Sequence, residues 1–188
     1  MALPQSHRLV TLNLAAMLLA FSALPLVAQQ DGARKWAGNG LQLEIAPLAT
    51  DVVTAFFIGR DFSSKDARHV AETGCVFRSA IGNEGKSEKD AGIEIDLTKW
   101  RVIVDGRETP PMTRQVWADV WKKREVGETP AIAFHWALFP TRQQYNPTDY
   151  NWGLLTFALP PKTRFDLRVV WAQGSEIRKT TLENLECG

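Results

Sequence analysis

The chain has 188 residues, of which 45 % are hydrophobic and 23 % are charged, and its formal net charge is +1. This length is enough for one domain with a substantial hydrophobic core. The near-neutral balance provides no strongly basic surface, so nucleic acid and an anionic membrane surface are not expected partners.

The first 28 residues predict a secretory signal peptide. Arg8 precedes an uncharged, mostly apolar stretch that runs to Ala28, where small residues give way to polar ones. The alternative is an uncleaved membrane anchor, because about 20 apolar residues can span a bilayer. Pro25 near the end of the stretch favours cleavage. With residues 1–28 removed, we expect no membrane span and a periplasmic or secreted protein.

Two cysteines, Cys75 and Cys187, predict one disulfide bond. In an exported protein a single pair of cysteines is most simply a structural bond. The rival interpretation is a pair of metal-binding or redox thiols, but their wide separation and the absence of CxxC spacing disfavour a redox motif. The bond would tie the C-terminus to the exit of the first predicted helix.

Residues 41–188 predict a single β-rich domain, preceded by a polar, glycine-rich lead-in at residues 29–40 that we expect to be flexible. Alternating or β-branched runs predict the strands. In chain order the predicted strands are 41–45, 52–58, 76–81, 93–97, 100–104, 131–139, 152–159, 165–171 and 176–182. Asp105-Gly106 predicts a tight hairpin turn.

Two segments predict helices. Ser63 is placed to cap the first, with Asp66 near the positive end of the helix dipole. Gly74 is expected to end this helix in a left-handed conformation. Thr113 is expected to cap a second helix that runs to about Arg124.

This succession of short strands and turns predicts a mainly β fold, a single β-sandwich with two short helical insertions. An immunoglobulin-like Greek key is the preferred topology on strand count alone, since the cysteine pattern of antibody domains is absent. A small closed barrel is the alternative.

The segment 141–152, TRQQYNPTDYNW, is the candidate binding surface. Long loops without periodicity often carry function, and mixed aromatic and hydrogen-bonding side chains are typical of recognition surfaces. The competing interpretation is a packed crossover whose aromatic rings cover the edge of the sandwich. The residues expected to bind a ligand are Arg142, Tyr145, Asp149, Tyr150 and Trp152. Replacing both tyrosines by alanine is expected to weaken binding and leave the fold intact.

A copper site is a second hypothesis, because copper(I) favours Met, Cys and His ligands. With the cysteines paired, the candidates are His135, Met112 and His69. His135 lies in a predicted strand between two alanines, which would leave room beside its ring. A lone histidine on a strand is more often structural. A blue-copper centre is excluded, because no histidine or methionine closely follows Cys75.

Nothing in the sequence predicts catalysis. It contains no GxSxG or HExxH motif, and no glycine-rich loop opens a helix as a phosphate site requires. Paired cysteines would leave no thiol nucleophile. We therefore predict a non-enzymatic exported binding or accessory module, without a cofactor, that acts on a protein or cell-envelope ligand. Copper handling is the alternative, followed by an enzyme of unknown class.

Overall fold

The computed structural model describes residues 32–87 and 89–188. The predicted signal peptide lies outside the described residues. Within this part of the chain the strands are β1 Arg34–Gly38, β2 Leu41–Pro47, β3 Val76–Asn83, β4 Ile93–Asp96, β5 Arg101–Val104, β6 Arg107–Thr109, β7 Arg142–Tyr145, β8 Tyr150–Thr156, β9 Arg164–Gln173 and β10 Glu176–Glu186. The helices are α1 Thr50–Ile58, α2 Ser64–Thr73, α3 Arg114–Arg124 and α4 Glu128–Ala137, and a short 3-10 turn, Leu97–Lys99, separates β4 from β5.

The strands form two antiparallel sheets. The first has the order β1-β2-β3-β8. In the second, β9 pairs with β10, β4 and β5, while β7 extends from β4 and β6 from β5. The chain passes between the sheets at β3–β4, β7–β8 and β8–β9. No barrel closes among the described residues. The predicted β-sandwich is confirmed, and the closed-barrel alternative is not formed.

One hydrophobic core fills the space between the two sheets. Leu41, Leu43 and Ile45 alternate along β2 and are buried in this core, together with Phe77 of β3 and Trp171 of β9. Successive side chains of a strand point to opposite faces, so one buried face per sheet produces the alternation seen in the sequence.

The predicted disulfide bond between Cys75 and Cys187 is confirmed. Their Cα atoms lie 5.2 Å apart although 112 positions separate them in the chain, and both side chains are buried in the sandwich core. The left-handed conformation predicted at Gly74 is wrong, because Gly74 has φ −94°. The residue with positive φ is the next one, Cys75, at +37°. No cysteine of the described residues is free.

A second hydrophobic cluster lies between the helices and the outer face of the first sheet. Trp117 and Trp121 of α3 stack with their ring centroids 4.9 Å apart, and Phe134 of α4 lies within 5.0 Å of both. Val76 and Leu154 join this cluster from the outer face of the sheet. The first sheet is therefore buried on both faces at this end.

Two segments that we predicted as strands are helices. Residues 52–58 lie in α1, and most of 131–139 lies in α4. The start of α4 shows why: it follows Gly127 and carries Pro130 in its first turn, where the missing N–H breaks no hydrogen bond. Its alanines are strong helix formers. The sandwich thus carries four helices where the sequence predicted two.

The other differences concern edge strands. Residues 34–38, predicted as part of a flexible lead-in, form β1 and pair with β2. Residues 142–145, predicted as loop, form β7 and pair with β4. Both segments lack the alternation of a strand with one buried face, so their pairing is set by the neighbouring strand.

The two predicted helices and the predicted hairpin are confirmed. Ser63 Oγ accepts the N–H of Asp66 at 3.1 Å, which caps α2, while α3 starts after Thr113 without a side-chain cap. Asp105 and Gly106, with φ +49° and +78°, make the tight turn between β5 and β6. None of the helices in the described chain is long and apolar enough to cross a membrane.

Candidate functional site

A groove of about 740 Å³ lies between α1, α4 and the outer face of the first sheet. Most of its wall is aliphatic or aromatic, and among the described residues that line it none is acidic. The residues that line it are Leu48, Val52, Phe56, Arg60, Arg78, Ala133, Trp136, Ala137, Asn151, Trp152, Gly153 and Leu154. We call this feature the aromatic groove.

The α1 wall of the aromatic groove is a stripe at four-residue spacing. Val52 and Phe56 lie one turn apart on one face of the helix, with Leu48 before it and Arg60 after it. The neighbouring face of α1 is buried in the helical cluster. Helix α1 therefore uses two apolar faces, one for the core and one for the groove.

The α4 wall is held by an arginine of α3. Arg114 Nε donates to the carbonyl oxygen of Leu138 at 3.2 Å, which ties α3 to the end of α4. Its guanidinium carbon lies 5.7 Å from the ring of Trp136, within the range of a cation–π contact. Trp136 is nonetheless 74 % exposed, and it lines the groove.

Two aromatic side chains stand on the outward face of β8, and one of them, Trp152, lines the aromatic groove. Trp152 stands opposite Ala80 and Tyr150 opposite Gly82, and these small neighbours leave the two rings 74 % and 75 % exposed. A Cβ atom on Gly82 would lie 2.9 Å from the Cβ of Tyr150, so a side chain there would displace the tyrosine.

Close backbone contact between α4 and β8 completes the groove. The N–H of Phe139 donates to the carbonyl oxygen of Leu154 at 3.1 Å. A Cβ atom on Gly153 would lie 3.3 Å from the oxygen of Ala137 and from the nitrogen of Phe139. The absence of a side chain at Gly153 allows α4 to approach β8 and brings Trp136 to the same groove as Trp152.

The two charged residues among the described lining are both arginines. Arg60 lies flat on Phe56, with its guanidinium carbon 3.4 Å from the ring centroid, and its Nη1 donates to the oxygen of Phe56 at 3.0 Å. The ion pairs of the described chain do not include Arg60. Arg78 forms a long ion pair of 3.9 Å with Glu44. The groove is therefore mostly apolar, with the guanidinium of Arg60 at its edge, while Arg78 shares its charge with Glu44.

The five predicted binding residues separate into two groups: four are exposed, and Tyr145 is buried. Tyr150 and Trp152 are exposed on the outward face of β8, and Trp152 lines the aromatic groove. Arg142 pairs with Asp96 at 3.0 Å. The carboxylate of Asp149 accepts the N–H of Asn146 at 2.9 Å and so shapes the turn before β8.

Tyr145 differs most from our expectation. It is 2 % exposed in the sandwich core, and burial raises the pKa of its hydroxyl well above the usual range. Tyr145 therefore has no surface to offer a ligand, and its burial conflicts with the expectation that an alanine variant keeps the fold intact.

The structure gives the surroundings of the three candidate copper ligands, His135, Met112 and His69. His135 lies on a helix and not on a strand, with Nε2 3.4 Å from Arg114 Nη1; burial, and then the charge of Arg114, lower the pKa of its imidazole. Met112 is half-buried against the helical cluster, and the His69 ring lies 6.4 Å from Trp117. Among the described residues, no three His, Cys, Asp or Glu side chains lie close enough together to hold a metal ion.

The sequence reasoning missed most of the groove. Trp136 lies in the segment 131–139, which was predicted as a strand, and the four-residue spacing of Val52 and Phe56 was hidden in the predicted strand 52–58. That spacing, continued to Arg60, is the signal that could have identified the α1 wall.

Comparisons of the chain with protein-family models, with curated proteins and with solved structures gave no match. The class of protein is defined by the fold itself, a mainly β two-sheet sandwich with helices packed on the outer face of one sheet. The functional argument therefore depends on the chemistry of the aromatic groove.

Proposed function

We propose that the protein is a non-enzymatic exported binding module that holds a cell-envelope ligand in the aromatic groove. One observation carries the proposal: Trp136 and Trp152, each 74 % exposed, face a single apolar groove. Large aromatic side chains that the fold leaves uncovered are typical of interaction sites and of their energetic centres.

The gain from covering these rings is large. Complete burial of a tryptophan removes about 150–250 Å² of surface from water. At about 25 cal/mol per Å², the exposed part of each ring offers roughly 3 kcal/mol on binding. Two such rings would supply much of the free energy of a micromolar complex, before the costs of association are subtracted.

The disulfide bond supports a location outside the reducing cytoplasm, in agreement with the signal peptide predicted from the sequence. A binding module exported to the periplasm or beyond meets the components of the cell envelope there.

The test is co-sedimentation with a protease-treated envelope fraction, which removes protein partners. We expect the wild-type protein to sediment with the envelope and the Trp136→Ala/Trp152→Ala variant to stay in solution. Ile177→Ala is the matched control, because Ile177 is 65 % exposed but lies on β10 of the other sheet. Sedimentation of the double variant at the wild-type level, or of neither protein, would overturn the proposal.

A further inference from the structure

We infer that the ligand of the aromatic groove is a single-chain anionic lipid, with its acyl chain along α1 and its acidic head group at Arg60. The inference rests on the proposed function and names the chemical class of the ligand for that same site. Three features of the groove favour this class.

The first feature is the scarcity of hydrogen-bonding partners on the walls. Apart from the indole N–H donors of Trp136 and Trp152, Asn151 carries the one uncharged hydrogen-bonding side chain among the described lining residues. A bound peptide would bring backbone N–H and C=O groups, and each one placed against an apolar wall without a partner costs free energy. An acyl chain has no such groups, so it can cover the same walls without that cost.

The second feature is the positive charge among the residues that line the groove. Arg60 lines the groove, no acidic residue is among the described lining, and the ion pairs of the described chain do not include Arg60. Arg60 uses Nη1 for the carbonyl of Phe56, and a guanidinium has five N–H donors in a planar fork that suits a carboxylate or phosphate. Its contact with the Phe56 ring holds that fork at the edge of the apolar wall.

The third feature is the polarity of the α1 wall along its length. The apolar side chains of Leu48, Val52 and Phe56 come first, and Arg60 follows beyond the end of the helix. A helix of nine residues is about 13 Å long, so the wall fits a narrow, elongated ligand with one charged end. A single-chain lipid has this shape and this distribution of charge.

Titration calorimetry on the oxidised protein tests the inference with defined probes. The probes are linear carboxylates of eight to twelve carbons, used below their micelle concentrations, and dodecanol as the uncharged match to dodecanoate. We expect one site, with affinity rising about four-fold per added methylene group while the chain still gains wall contact. Trp136→Ala/Trp152→Ala should lose this binding.

The head-group assignment is tested with Arg60→Gln, because glutamine keeps hydrogen-bond donors and removes the charge. Dodecanoate should bind at least about ten-fold more weakly to this variant, whereas dodecanol should bind unchanged. Arg107→Ala is the control, because Arg107 is an exposed arginine of β6 outside the groove. Equal binding of dodecanoate to Arg60→Gln and the wild type would overturn the assignment of the head group.

Two further outcomes separate this inference from the proposed function. If the envelope fraction binds through the tryptophans but neither dodecanoate nor dodecanol binds, the lipid assignment is wrong and the binding module stands. If the protein binds vesicles of anionic phospholipid but no monomeric carboxylate, the ligand is a membrane surface and the inference is overturned. Failure of both the envelope and the carboxylates would overturn both proposals.

Discussion

Trp136 of α4 and Trp152 of β8 line the same groove, and the contact that sets their relationship is made by Gly153. The two rings belong to different layers of the fold, one to the helical layer and one to the outer face of a sheet. Backbone of α4 and of β8 meets at Gly153, so the width of the groove is fixed by main-chain atoms that cannot rotate away.

Gly153→Val should therefore destabilise the protein and weaken ligand binding together. The added Cβ would lie 3.3 Å from backbone atoms of Ala137 and Phe139, so α4 must shift. We expect a loss of about 1–3 kcal/mol in the free energy of unfolding. Urea denaturation measures the loss of stability, and envelope co-sedimentation measures the loss of binding.

Gly59→Ala is the control. Its φ is −65° and an added Cβ would have ordinary contacts of 3.5 Å, so the free energy of unfolding should change by no more than about 0.5 kcal/mol. A stable Gly153→Val protein with unchanged binding would contradict this account of the groove.

Tyr145 and Tyr150 should behave as opposites when each is replaced by alanine. Tyr145→Ala removes a ring that is 2 % exposed in the sandwich core, so we expect a loss of about 3–5 kcal/mol in the free energy of unfolding. Tyr150→Ala removes a ring that is 75 % exposed, and a change within about 0.5 kcal/mol is expected. Denaturant titration of both variants checks this, and similar losses for the two would show that the burial assigned here is incorrect.

The fold was predictable from the sequence where a segment has one buried face. Leu41, Leu43 and Ile45 alternate because only one side of β2 meets the core, and the same pattern located β4 and β9. Helix α1 does not follow this pattern, because more than one of its faces is apolar. Val53 and Phe57 face the core while Val52 and Phe56 line the groove, so two adjacent faces of the helix are apolar and the four-residue spacing of each is masked by the other.

The candidate site was predictable only in part for a related reason. Tyr150 and Trp152 were identified because they stand in a polar, aromatic segment. Tyr145 was misinterpreted, since its burial depends on pairing with Ile93 of β4, a contact that no local pattern reveals. Trp136 and Arg60 were missed because their place at the groove follows from the packing of α1 and α4 on the sheet.

Loss of the Cys75–Cys187 bond should lower the stability of the domain substantially. The bond closes a loop across 112 positions, and the loop-entropy model gives about 4–5 kcal/mol for a loop of this size. Cys75→Ala/Cys187→Ala should lose this amount in denaturant titration, and reductant should destabilise the wild type but have no effect on the double variant. A loss below about 1 kcal/mol would mean that the C-terminal strand is held by other contacts.

Asp66 should make the stability of the protein depend on pH in the acid range. The hydroxyl of Ser63, which donates to Asp66 Oδ2 at 2.6 Å, lowers the pKa of this carboxyl most; burial opposes the effect, and Arg124 at 2.8 Å adds to it. Because the pKa in the folded state is below that of the unfolded chain, near 3.9, folding favours the ionised carboxylate. The stabilisation is thus fully present above about pH 4 and is lost as the pH falls through the lower folded-state pKa.

Asp66→Asn should accordingly remove part of the acid dependence of the unfolding free energy, measured between about pH 2 and pH 6. Ser63→Ala should raise the pKa of Asp66 toward its ordinary value and flatten the same region of the curve. Ser63→Thr keeps a hydroxyl at the helix cap and serves as the control. Other carboxylates with lowered pKa values, such as Asp96, contribute to the wild-type curve, so the difference between wild type and Asp66→Asn isolates the capping carboxylate. Superimposable pH profiles for these two proteins would show that the Ser63–Asp66–Arg124 contacts do not favour the ionised carboxylate in the folded protein.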